Sequence, residues 1–153
     1  MGAAVTEFFP ADPLAFNWQS GWPLLATPVA AGASSLADDL IEDHISLDQH
    51  LVRIPEATFL LRVTGNALAD AGIHDGDLLV MDRAAPATEN SVALAMIAGD
   101  FALARIGHDT QGRRVLCGID GDDQPLGEDV TIVGVARWAI HRLWPGRAIF
   151  GLN

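Results

Sequence analysis

Lysine is absent from this chain of 153 residues, and all nine of its basic residues are arginine. Without lysine, no side-chain amine is available as a general base, either in this chain or in a second copy of it. Tyrosine is also missing and there is a single cysteine, Cys117. One cysteine excludes an intrachain disulfide and suits a reducing compartment, with Cys117 read as a buried, inert thiol. Positive charge is scarce as well: 20 acidic residues give a formal net charge of −11. Phosphate binding depends on basic patches, so direct strong binding to nucleic acid or to anionic membranes is not expected, and a protein partner is. No apolar run reaches the length of a membrane span, and the N-terminus lacks the basic-then-apolar pattern of a signal peptide. A cytoplasmic protein without a membrane anchor is the expectation. The missing lysine and tyrosine, beside many alanines, are accounted for by general codon bias.

What remains is half hydrophobic, enough for one domain with a real core plus a tail. Pro10, Pro13, Pro23 and Pro28 break up residues 1–31, so no helix of useful length fits there. The same segment holds Phe8, Phe9, Phe16, Trp18 and Trp22, more aromatic surface than a solvated tail carries. It reads as an extended arm that packs on its own domain or on a partner. A helix follows over Leu36 to Asp43, with Ser35 as its cap and Asp38, Asp39, Glu42 and Asp43 as a solvated face. That face lacks the loop-fixed oxygens a metal site needs, and Gly118 to Asp123 lacks the glutamate of a calcium loop. His44 and His50 lack metal-ligand spacing with cysteine or with each other and, together with His74, His108 and His141, are read as surface or packing residues, so no metal or cofactor is expected.

From Leu51 onward, strand-like runs alternate with turn signals. The runs are Leu51 to Ile54, Thr58 to Val63, Leu78 to Asp82, Ser91 to Ile97, Phe101 to Ile106, Arg113 to Cys117 and Thr131 to Leu143. The expected fold is mainly β, of short and mostly antiparallel strands with one or two short helices. Between the second and third runs, Asn66 is placed to cap a brief helix from Ala67 to Ala71, Gly72 to stop it, and Asp75-Gly76-Asp77 to turn the chain.

That stretch resembles the serine/lysine self-cleaving peptidase family of UmuD and LexA, and UmuD most closely. The family pattern Gly-(Asp/Asn)-Ser-Met, then Gly-Ile, then Asp-Gly-Asp-Leu-Leu stands here as Gly65-Asn66-Ala67-Leu68, Gly72-Ile73 and Asp75-Gly76-Asp77-Leu78-Leu79. A second motif, a strand carrying the catalytic lysine, reads Ala102-Leu103-Ala104-Arg105-Ile106. The resemblance makes Ala67 the serine position and Ala104 the lysine position. It also makes Ala31-Gly32 the bond cleaved in active relatives, dividing an N-terminal arm, 1–31, from a peptidase-fold domain, 32–153.

In this family a buried lysine, its pKa lowered by desolvation, takes the proton of the serine nucleophile. Alanine supplies neither group, and the neighbouring Arg105 stays protonated at any relevant pH. Thr64 and Ser91 lie near in sequence but have no base assigned to them. The chain as written is therefore expected not to cleave itself. Either it is a natural non-cleaving relative, or both residues were replaced deliberately. The resemblance further implies a homodimer, regulation by the RecA filament and a translesion DNA polymerase as partner. The first segment is too short for a helix-turn-helix domain, which weighs against the expectation of a LexA-type repressor. A catalytically dead regulatory or decoy module that dimerises with or binds a repressor is the alternative.

Overall fold

A computed structural model describes residues 21–24, 28–34 and 43–144. The helix expected over Leu36 to Asp43 lies outside the described residues except at Asp43, which is in a strand, and most of the arm, 1–20 and 25–27, lies outside them too. The chain divides into two compact units, 1–51 and 52–153.

In the first unit, β1 (Trp22–Leu24) pairs antiparallel with β2 (Asp43–Ile45), Trp22 opposite Ile45. A short helix, α1 (Leu47–Leu51), follows directly. Ser46 starts it: its Oγ accepts the Gln49 N–H at 3.4 Å, and its carbonyl accepts the His50 N–H at 2.9 Å. The strand expected over Leu51 to Ile54 is thus replaced by the end of α1 and an irregular link, because the serine cap recruits Leu51 into the helix.

The second unit is one antiparallel sheet. Its strands are β3 (Thr58–Arg62), β4 (Leu78–Asp82), β5 (Val92–Ile97), β6 (Asp100–His108), β7 (Arg114–Ile119), β8 (Asp122–Pro125) and β9 (Val130–Ile140). Their spatial order is β3-β4-β9-β5-β6-β7-β8, with β9 inserted between β4 and β5. To pair with both neighbours β9 carries two irregularities: the register slips at Arg137 against β4 and at Val133 against β5. Each extra residue bends and twists the strand, as β-bulges do. At the centre of β9, Gly134 leaves room for the ring of Phe59, whose Cε1 would lie 3.0 Å from any added Cβ. β8 was not expected, since Asp122-Asp123-Gln124-Pro125 has no apolar alternation; its ladder to β7 holds it instead.

Among the described residues, two apolar clusters form. Val63, Ile73, Leu79, Met81, Val92 and Leu94 make the first, with Phe59, Leu68 and Leu103 packed against it. Ala93, Ala95, Ala104, Ile106 and Leu116 make the second. Alternate residues of β5 and β6 point to opposite faces, which separates Leu103 from Ala104.

Candidate functional site

The loop from Val63 to Asp77 is closed at its base like a hairpin. The Val63 N–H donates to the Asp77 carbonyl at 2.9 Å, and the Gly76 N–H donates to the Val63 carbonyl at 2.8 Å. One step further in, the Gly65 N–H donates to Asp75 Oδ1 at 2.6 Å while the Asp75 N–H donates to Asn66 Oδ1 at 3.0 Å. Asn66 is therefore not a helix cap. Its side chain is engaged across the loop, and the expected helix shrinks to a 3-10 turn, Ala69–Ala71, that begins without a side-chain cap. Gly72 does end it, in the left-handed conformation at φ 82°, and Gly76 takes φ 85° in the following turn.

Ala67 sits exposed in this braced loop, and Leu68 beside it packs on the first cluster. Ala104 lies within β6 opposite Ala93, only 2% exposed, in the second cluster. The strand carrying Ala104 is tied to the loop carrying Ala67 by an ion pair of the adjacent residue, Arg105 Nη2 to Asp70 Oδ2 at 3.4 Å. A hollow of about 400 Å³ opens beside Arg105, lined also by Ile73, Leu79, Ser91, Arg137 and Trp138. Neither Ala67 nor Ala104 lines it. Ser91 is occupied with closing a turn, its Oγ accepting the Thr88 N–H at 3.2 Å. In the first unit Ala31-Gly32 forms an exposed turn, with the Ala33 N–H donating to the Ala30 carbonyl at 3.4 Å and Gly32 at φ 76°.

Residues 23–137 match the family described as Peptidase S24-like. The chain belongs to that family. Among relatives of this Peptidase S24-like chain, Protein MucA of Salmonella typhimurium is 37% identical over 84 residues, which make up 55% of this chain and 58% of MucA. Protein ImpA of the same organism is 34% identical over 125 residues, covering 78% of this chain and 83% of ImpA. The LexA repressor of Photobacterium profundum is 38% identical over 112 residues, 72% of this chain and 56% of the repressor. The matched stretches thus span little more than half the length of MucA and of the repressor.

Two buried carboxylates flank β4. At its end, Asp82 accepts Arg53 Nε at 3.0 Å and the Ala84 N–H at 2.8 Å. Burial pushes its pKa up, but the Ala84 N–H and the Arg53 guanidinium outweigh this and hold it below the ordinary value. Before its start, Asp77 is 1% exposed, accepts the His74 N–H on Oδ2 at 2.8 Å, and lies 2.6 Å from His141 Nδ1 through Oδ1. Burial again raises its pKa, and the His74 N–H with the His141 hydrogen bond and charge brings it below the ordinary value.

His74 and His141, expected as surface or packing residues, come together beside Asp77. With Asp77 they place one ligand atom each within 4.8 Å of one another, the His74 and His141 ring centroids being 4.9 Å apart. Only the His74-Asp77 spacing hinted at this. His141 arrives through the sheet register, which sets Leu78 opposite Ile140.

Proposed function

We propose that this chain is a UmuD-like accessory subunit of SOS translesion DNA synthesis, held in its full-length state because neither Ala67 nor Ala104 can supply the self-cleavage dyad. The observation that carries the reading is the intact frame around alanine: the braced loop of Gly65, Asn66 and Asp75 holds Ala67, and β6 holds Ala104 in the core. MucA and ImpA among the relatives support the mutagenesis branch of the family. In this reading the protein is a cytoplasmic homodimer whose partners are a translesion polymerase and the RecA filament. The arm, 1–31, stays attached to the domain, 32–153, because the Ala31-Gly32 bond is not cut.

Two measurements test this. In the Ala67→Ser/Ala104→Lys variant, intact mass followed over time should show fragments ending at Ala31 and beginning at Gly32. They should form with RecA filaments at neutral pH and alone at alkaline pH, where the new amine is neutral. The parent chain should stay intact and co-purify with a translesion polymerase. The LexA relative motivates the second reading, a dead regulatory or decoy module. Capture of a LexA-type repressor with no polymerase bound would replace the first reading by that one.

A further inference from the structure

We propose that His74, Asp77 and His141 form a site for one borderline transition-metal cation, zinc being the type ion, which fastens the turn after Ile73 to the end of β9. The site owes nothing to Ala67 or Ala104 and stands whether or not the reading above holds.

The donor set decides the class of ion. Two imidazoles and one carboxylate suit zinc and its neighbours, which bind such groups in tetrahedral sites with one position left for water. Calcium and magnesium need shells of oxygen. The adjoining hollow, about 340 Å³, is lined by Asp77, His141, Arg62 and Arg142; the arginines repel any cation, so affinity must come from coordination by the three ligands.

A hydrogen-bonded Asp77-His141 pair does not account for the third member. His74 Nδ1 is buried without a hydrogen-bond partner, 3.9 Å from Asp77 Oδ2. The His74 side chain is 45% exposed, yet its Nδ1 is buried beside the Asp77 carboxylate and the second imidazole, a placement that one ligand shared by all three would satisfy. The backbone bond from His74 N–H to Asp77 Oδ2 fixes the first two residues relative to each other. A cation would displace the proton shared by His141 Nδ1 and Asp77 Oδ1, the pair opening from 2.6 Å to the roughly 3.3 Å that two ligand atoms of a tetrahedral site need, and would leave the neutral imidazole protonated on Nε2. The hollow gives the ion a path in from solvent.

The test uses the full chain without a polyhistidine tag, stripped by chelator and titrated with Zn²⁺ in competition with a chromophoric chelator. One equivalent should bind, and the melting midpoint should rise with Zn²⁺ concentration. His74→Ala and His141→Ala should each weaken binding by more than about tenfold, the loss that even an outer partner of a metal ligand produces. His108→Ala, whose ring pairs with Glu89 at 3.3 Å, should leave binding unchanged. Circular dichroism checks that each variant folds. Co²⁺ on the parent chain gives a readout independent of any variant, an intense tetrahedral visible spectrum being expected. Any of three results overturns the proposal: no saturable equivalent, undiminished binding in a folded His74→Ala/His141→Ala chain, or the weak spectrum of hydrated Co²⁺.

Discussion

Asp82 is buried yet remains a carboxylate, because its neighbours are donors: Arg53 on one oxygen and the Ala84 N–H on the other. A carboxyl whose folded pKa lies below its unfolded value stabilises the fold fully above the unfolded pKa, about 4, and that contribution is lost as pH falls through the folded value. Asp77 and Asp109 are shifted in the same direction, Asp109 chiefly by the Arg113 N–H. Below about pH 4 the protein should therefore lose stability steeply, and Asp82→Asn should flatten that dependence while lowering stability at neutral pH. Urea midpoints measured across pH check both effects.

A lysine at Ala104 would give the same sign of pH dependence, at the alkaline end. A lysine there would be buried, and its folded pKa would fall below the unfolded value near 10.4. Between the two values the unfolded chain binds more protons. The Ala104→Lys protein should thus recover stability relative to its parent by up to about 1.4 kcal/mol per pH unit as pH rises. A pH-independent deficit would mean that the ammonium escapes to solvent.

At the scale of elements, β9 is where the sheet is most exacting. Gly134→Ala would press a methyl on the Phe59 ring, 3.0 Å away, and should cost about 1–3 kcal/mol. Phe59→Leu should relieve part of that, so a double-mutant cycle on chemical-denaturation free energies should be less than additive. A fully additive cycle would place the strain elsewhere.

Strands with apolar alternation or a continuous apolar run were legible in the sequence: Thr58–Arg62, Leu78–Asp82 and Val92–Ile97 lie within or match the expected bounds. Asp122–Pro125 was not, because its pairing is set by its neighbour and not by its own composition. The loop over Ala67 was placed by its motif, but the role of Asn66 was not, since its hydrogen bond crosses nine residues to Asp75. The His74, Asp77 and His141 cluster was beyond sequence reasoning for a like reason. His141 is 64 residues from Asp77 along the chain, and only antiparallel pairing of β4 with β9 closes that gap.

For the whole molecule, a net charge of −11 means mutual repulsion among acidic groups in the compact state. Raising ionic strength from about 0.01 M to 0.15 M shortens the screening length from roughly 30 Å to 8 Å, and the melting midpoint should rise accordingly. A falling midpoint would show that attractive pairs such as Arg53-Asp82 outweigh the general repulsion.

The clasp between Asn66 and Asp75 is built from backbone amides and from side chains on either side of position 67. Residue 67 contributes nothing to it, so the loop keeps its shape whichever small side chain stands there. For a lineage, a serine at position 67 could therefore come and go without disturbing the loop. Mutational drift at this position is invisible to folding, and only selection for proteolysis could police it.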